Sequence, residues 1–119
     1  LKYSRERKQF NSRLVDFQGI NHKLAEMKMD IETARLLTWH AAWLKDNKKR
    51  YAKEAAMAKL YGSEMATRVA HQALQILGGY GFIKDYPVER YYRDARILEL
   101  YEGTSEVQRM VIASYALGV

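Results

Sequence analysis

The sequence contains no cysteine. That excludes disulfides, a thiol nucleophile and any cysteine-ligated metal centre, and it fits a reducing compartment. Proline occurs once, as Pro87, and glycine seven times in 119 residues, so little interrupts a helix. No apolar run approaches the roughly 20 residues that a membrane span needs. The basic Lys2, Arg5, Arg7 and Lys8 sit among polar residues without an apolar stretch behind them, so they form no signal-peptide pattern. His22, His40 and His71 are far apart and show no H-x-x-x-H or H-E-x-x-H spacing, which speaks against a metal site. A G-x-S-x-G elbow is missing too, leaving serine hydrolysis without support.

What is present is ordinary for one globular domain: 48% hydrophobic and 29% charged residues. A chain of this length buries roughly two-thirds of its unfolded surface, enough for a core. The net charge of +6 raises the question of nucleic acid. Its densest cluster, Lys45, Lys48, Lys49, Arg50 and Lys53, flanks a predicted helix–helix turn. Basic residues are favoured there by the helix macrodipole. Nucleic-acid binding would need a continuous basic face with interleaved aromatics, and the sequence has none. A diphosphate-bearing ligand would use a few of these charges equally well.

Two apolar stripes organise the chain. Phe17, Ile20, Leu24, Met27, Ile31 and Ala34 recur at spacings of three and four, and Leu37, Ala41 and Leu44 continue them. This is a long amphipathic helix ending near Asp46-Asn47. The second stripe is Tyr51, Ala55, Ala58, Gly62, Met65, Val69, Ala73 and Ile76, rich in small residues that would let a neighbouring backbone approach. Two helices of about 30 and 27 residues joined by a short polar turn read as an antiparallel αα-hairpin. The second helix stops at Gly78-Gly79-Tyr80-Gly81, read as a C-cap and loop. Pro87 opens a short helix through about Asp94. Ser105-x-x-Gln108 has capping-box spacing ahead of a last helix through about Leu117. Leu1 to Arg7 read as the tail of a further helix. The expected fold is all-α, an up-and-down helical bundle, with residues 1–119 as a single domain.

Few residues suggest chemistry on their own. Gly78-Gly79-Tyr80-Gly81 is not a dinucleotide fingerprint, since no strand precedes it and its spacing differs. Glu99 and Glu102 lie three residues apart and are both explicable as solvated carboxylates. Glu102 is distinguished by its neighbourhood, Tyr101-Glu102-Gly103-Thr104-Ser105-Glu106. The adjacent glycine permits close approach of a flat substrate, and the helix start beyond it offers unsatisfied N–H groups. A general base is one use of such a carboxylate.

Four separated segments carry a resemblance that covers essentially the whole chain. They are Gln75-Ile76-Leu77-Gly78-Gly79-Tyr80-Gly81-Phe82, then Tyr86-Pro87-Val88-Glu89-Arg90, Arg93-Asp94-Ala95-Arg96-Ile97, and Tyr101 to Arg109. With Arg7-Lys8-Gln9-Phe10 and Leu24-Ala25-Glu26-Met27, their order and spacing resemble the C-terminal helical domain of acyl-CoA dehydrogenases. The resemblance implies one domain of a longer three-domain FAD enzyme, which takes the α-proton of an acyl-CoA and passes the β-hydride to flavin, giving a 2-enoyl-CoA. It implies that Glu102 is the base and Gly103 meets the thioester. Glu at this position points to the straight-chain type. By the same resemblance Arg7, Gln9, Phe10, Phe17 and Gln18 hold FAD, with Gln75, Ile76, Leu77, Gly78 and Gly79 as a second segment. Both would serve FAD of a neighbouring subunit, while Thr104, Ser105 and Glu106 touch the flavin of their own. No metal is implied. The implied partners are the acyl-CoA substrate, an electron-transferring flavoprotein as acceptor, and further copies of the chain in a homodimer or homotetramer. The implied location is the bacterial cytoplasm or the mitochondrial matrix. Asn11 departs from the family's usual glycine after the R-x-x-F phenylalanine, though Asn tolerates a left-handed backbone. Two other readings are a non-catalytic helical oligomerisation module and a family relative acting on a non-CoA substrate. Intact FAD-facing residues argue against the first, and Glu102 against the second.

Overall fold

The computed structural model describes residues 1–118. Helix α1 (Lys2–Glu6) leads into two short strands, β1 (Lys8–Gln9) and β2 (Ser12–Arg13), and a 3₁₀ turn over Leu14–Asp16. Then come α2 (Gln18–Asp46), α3 (Ala52–Leu77), the single turn α4 (Gly79–Phe82), α5 (Val88–Ile97) and α6 (Ser105–Leu117). The two long helices form the expected hairpin and stretch the molecule to 58 × 25 × 23 Å. The fold is all-α, with α3 as its centre: α2, α5 and α6 all pack against it.

Helix α2 follows its sequence pattern closely. Ala34 and Ala41 are buried and Ile20, Leu24, Met27, Ile31, Leu37 and Leu44 half-buried, on one face. Its outer face is also apolar, because Met29, Leu36, Trp39 and Trp43 recur at heptad-like spacing and are exposed. Helix α3 departs from its pattern. Its most buried positions are Ala56, Ser63, Ala70 and Ile76, whereas Ala55, Ala58, Gly62, Met65, Val69 and Ala73 are half-buried. A helix flanked on three sides has no single apolar stripe: Ile76 is buried as expected, but Ala56, Ser63 and Ala70 each lie one residue beyond the stripe's Ala55, Gly62 and Val69. Gly62 does not admit a close backbone either, since a Cβ there would meet nothing within 4 Å. The close approach falls at Gly81, where a Cβ would lie 2.6 Å from the Leu74 carbonyl oxygen.

Local endings also differ from expectation. Gly78 ends α3 with φ +60° and ψ −136°, and the chain restarts at once as α4 rather than as a loop. Helix α5 runs three residues beyond Asp94, to Ile97. The cap of α6 is Thr104, whose hydroxyl accepts from the Val107 N–H at 3.4 Å. Ser105 is therefore the first helical residue, not the cap, and its partner in the expected box, Gln108, turns back toward the preceding loop. The small hairpin was not anticipated. Phe10 and Asn11 form its two-residue turn at φ +50° and +61°, the doubly left-handed geometry that short hairpins favour. Asn11 thus takes the backbone expected of it.

Polar ties cross the long hairpin. Asp30 on α2 accepts from the Tyr61 hydroxyl at 2.6 Å and faces Arg68 at 3.4 Å, both on α3. The Tyr61 bond first, and Arg68 after it, hold the Asp30 carboxyl below its ordinary value. A carboxylate lowered on folding adds stability above its unfolded pKa and loses it as pH falls through the folded one. Asp30→Asn is accordingly expected to lower stability by about 1 kcal/mol near neutral pH. The difference from wild type should shrink as the pH drops below about 4. Calorimetric melts at several pH values check this, and a deficit independent of pH would contradict it.

Candidate cofactor groove and candidate active site

At the end of the bundle where α3 stops, the N-terminal segments meet Gln75–Tyr80. Together they enclose an open groove of about 630 Å³, lined by Tyr3, Arg7, Gln9, Leu14, Ile20, Gln75, Ile76, Leu77, Gly78, Gly79, Tyr80 and Ile83. Tyr3, Tyr80 and Tyr86 cluster with ring centroids 5.8–6.4 Å apart, and the Tyr3 hydroxyl donates to the Leu77 carbonyl at 3.4 Å. This cluster ties the α1 segment to the end of α3. The Arg7 guanidinium lies 5.4 Å over the Tyr80 ring. It makes no ion pair among the described residues. A Cβ on Gly78 or Gly79 would meet nothing within 4 Å, so the backbone there is open.

Of the residues the resemblance assigns to FAD, Arg7, Gln9, Gln75, Ile76, Leu77, Gly78 and Gly79 share this groove. Phe10, Phe17 and Gln18 do not line it. Phe10 stands at the hairpin tip, 90% exposed, while Phe17 is half-buried just before α2 and Gln18 is exposed. The groove offers an unpaired guanidinium, two amide side chains, aromatic walls and bare glycine backbone. Those donors and surfaces fit a diphosphate joined to a flat ring system.

The second cluster lies along α3, near its middle. Between α5 and α6 the chain makes a turn with two successive left-handed residues, Glu102 at φ +52° and Gly103 at φ +91°. The Gln108 amide donates to the carbonyls of Glu102 and Gly103 at 3.2 and 3.3 Å, and the Lys59 ammonium donates to the Gly103 carbonyl. Upstream, the Ser105 N–H bonds to the Glu99 carbonyl at 3.1 Å. The Glu99 carboxylate accepts from Thr67 on α3 and pairs with Arg96, which makes it a structural acid. Glu102 remains on the rim of an open groove of about 590 Å³. Thr38 of α2, Ala58, Lys59, Gly62 and Ser63 of α3, and Leu98 and Tyr101 line the rest.

The start of α6 completes this region. The Thr104 hydroxyl caps the helix, and the Ser105 Oγ is buried without a hydrogen-bond partner among the described residues. The Glu106 carboxyl is held below the usual range by its backbone N–H, then by the Thr104 hydroxyl, with Arg109 and Arg96 adding to it. From Gly62 to Ile76 on α3 is 14 residues, roughly 21 Å. The two clusters are therefore separate places on one bundle. Sequence reading missed Tyr3, Leu14, Ile20, Tyr80 and Ile83 at the first, and Thr38, Lys59, Leu98 and Tyr101 at the second. Tyr80 and Tyr101 lay within the quoted motifs, but Lys59 had no signal of its own.

Among the described residues, no helix is long and apolar enough to cross a membrane, and no group of His, Asp and Glu could hold a metal ion. Comparison with known proteins agrees across nearly the whole length. Residues 1–117 match the family model for the acyl-CoA dehydrogenase C-terminal domain. The mouse short-chain specific acyl-CoA dehydrogenase, a mitochondrial protein, is 59% identical over 117 residues, covering 98% of this chain and 28% of its own. A caffeyl-CoA reductase–Etf complex subunit of Acetobacterium woodii is 53% identical, covering 98% of this chain and 31% of its own. The structure of butyryl-CoA dehydrogenase from Megasphaera elsdenii superposes with a TM-score of 0.96 at 49% identity, over 98% of this chain and 30% of that one. This chain thus spans under a third of the length of these relatives, and it belongs to the acyl-CoA dehydrogenase family as a C-terminal domain.

Proposed function

We propose that the polypeptide carrying this chain is an FAD-dependent dehydrogenase of straight-chain acyl-CoA thioesters, with Glu102 as its base. The reading rests chiefly on the Glu102–Gly103 turn, which sets a glutamate at the rim of an open groove while its backbone is held from α3 and α6. Acyl-CoA dehydrogenases are flavoproteins, and the residues here fit the cofactor. Arg7, Gln9 and the Gln75–Gly79 segment would hold the diphosphate and adenosine, with Ser105 and its neighbours near the flavin. When bound, the flavin supplies the acceptor for the β-hydride. Glu102 takes the α-proton, so the C–H pair at the α-carbon becomes one half of the new double bond. Gly103, which the resemblance places against the thioester, has no side chain, and the Gln108 amide closes on it, 2.6 Å from where a Cβ would lie. Phe10 lies outside the groove in this chain; across a subunit boundary its exposed ring could reach cofactor.

Family members are oligomeric, and we propose a homodimer or homotetramer here. The exposed Met29, Leu36, Trp39 and Trp43 face of α2 is the surface we assign to it, rather than the Ala58–Gly62 stripe, which lines the Glu102 groove. An electron-transferring flavoprotein is the acceptor we propose, by analogy with the Acetobacterium relative named for its Etf complex. The test is anaerobic addition of butyryl-CoA to the purified full-length flavoprotein. Rapid bleaching of the oxidised flavin band is expected. Flavin that stays oxidised with butyryl- through octanoyl-CoA would overturn the assignment.

A further inference from the structure

We propose that Lys59 is a positioning residue, holding the turn from which Glu102 acts; the inference rests on the base assignment above. Lys59 reaches from α3 across 44 residues of sequence to donate to the Gly103 carbonyl in a partly buried bond. It forms no ion pair among the described residues. Keeping an ammonium half-buried without a carboxylate is unfavourable unless its hydrogen bonds are well used. Here the bond goes to the turn next to the candidate base, in the same groove.

That turn needs a tether. Glu102 and Gly103 both lie in the left-handed region, where a side-chain-bearing residue such as Glu102 is disfavoured. A backbone bond from Ser105 N–H to the Glu99 carbonyl closes the segment, while the carbonyls of Glu102 and Gly103 within it are held by side chains. Gln108 holds it from α6, close in sequence, and would move with it. Thr67 ties the preceding Glu99 to α3, and Arg109 of α6 pairs with Glu64 of the same helix, but Lys59 is the α3 side chain that reaches the Gly103 carbonyl itself. Without it the carboxylate shifts against a substrate positioned by other elements. Displacements of about 1 Å at a reacting group can slow catalysis about a hundredfold.

The experiment uses the full-length flavoprotein, with flavin reduction by butyryl-CoA followed in single turnovers. Lys59→Met, similar in length but without a donor, is expected to slow flavin reduction about ten- to hundredfold. Flavin content, melting temperature and butyryl-CoA affinity should stay near parental values. Lys59→Arg should recover part of the rate, and added propylamine should partly restore Lys59→Ala but not Lys59→Met. A purely structural lysine would show loss of fold or flavin without amine rescue. Should Lys59→Met fail to accumulate, Lys59→Leu, also without a donor, is measured instead. A rate within twofold of the parent in either variant overturns the proposal, as does a slow Lys59→Ala that propylamine leaves unchanged. Glu102→Gln, run alongside, separates the two readings. If Glu102→Gln still reduces flavin rapidly, the base assignment fails and Lys59 has nothing to position. If it is inert while Lys59→Met is normal, only the Lys59 proposal falls.

Discussion

In the full-length flavoprotein, Glu102→Gln is expected to slow flavin reduction by acyl-CoA at least 10²–10⁴-fold, the usual range for loss of a general base. Gln preserves the shape of the side chain and its hydrogen-bonding capacity, yet it cannot accept a proton. The α-proton of a thioester is only weakly acidic, so the chemistry depends on a base held beside it. Among the described residues nothing in the fold hangs on the Glu102 carboxylate: the bonds of its turn run through backbone carbonyls to Gln108 and Lys59. FAD content, melting temperature and acyl-CoA affinity should therefore survive the substitution. Stopped-flow absorbance measures the rate. If the Gln variant bleaches within tenfold of wild type, the proton goes elsewhere and the site must be reassigned.

Arg7→Ala is expected to weaken FAD retention about ten- to hundredfold in affinity, because a charge-assisted contact to a diphosphate contributes about 1.5–3 kcal/mol. The geometry favours a ligand role over a structural one. Arg7 stacks on Tyr80 and faces the groove without an ion pair among the described residues, so its charge is available. Arg7→Lys keeps the charge but loses the planar fork and the stacking, and should fall between wild type and Ala. Flavin-to-protein ratios after extended dialysis give the readout. An unchanged ratio in Arg7→Ala would remove Arg7 from the cofactor site.

The outer half of the fold was legible because periodicity works where a helix has one wet side. Every member of the α2 stripe from Ile20 to Leu44 sits on its more buried face. The same method slipped on α3, where neighbours on three sides blur the pattern, and Ala56, Ser63 and Ala70 outrank Ala55, Gly62 and Val69 in burial. Caps failed for a different reason. Thr104 and Ser105 are chemically equivalent as capping residues, so only the backbone, with Thr104 extended, separates them. The hairpin at Lys8–Arg13 escaped because Phe10-Asn11 lacks the glycine that signals such a turn. At the candidate site, motif recognition marked Glu102 and the Gln75–Gly79 segment. Lys59 was invisible, since a lysine amid alanines on a helix reads as solvated until its partner 44 residues away is known.

The left-handed backbone at Glu102 has a consequence for how the protein can change. A glutamate at φ +52° sits where glycine would be at ease, and the difference is about 1 kcal/mol or more against the fold. Replacement by glycine at this position would thus relax the main chain even as it removed the carboxylate. Stability and turnover pull in opposite directions at this one residue. A screen that rewards only thermal resistance would drift toward discarding the proposed base, whereas one that rewards activity must keep a locally strained turn and seek its stabilisation elsewhere in the bundle.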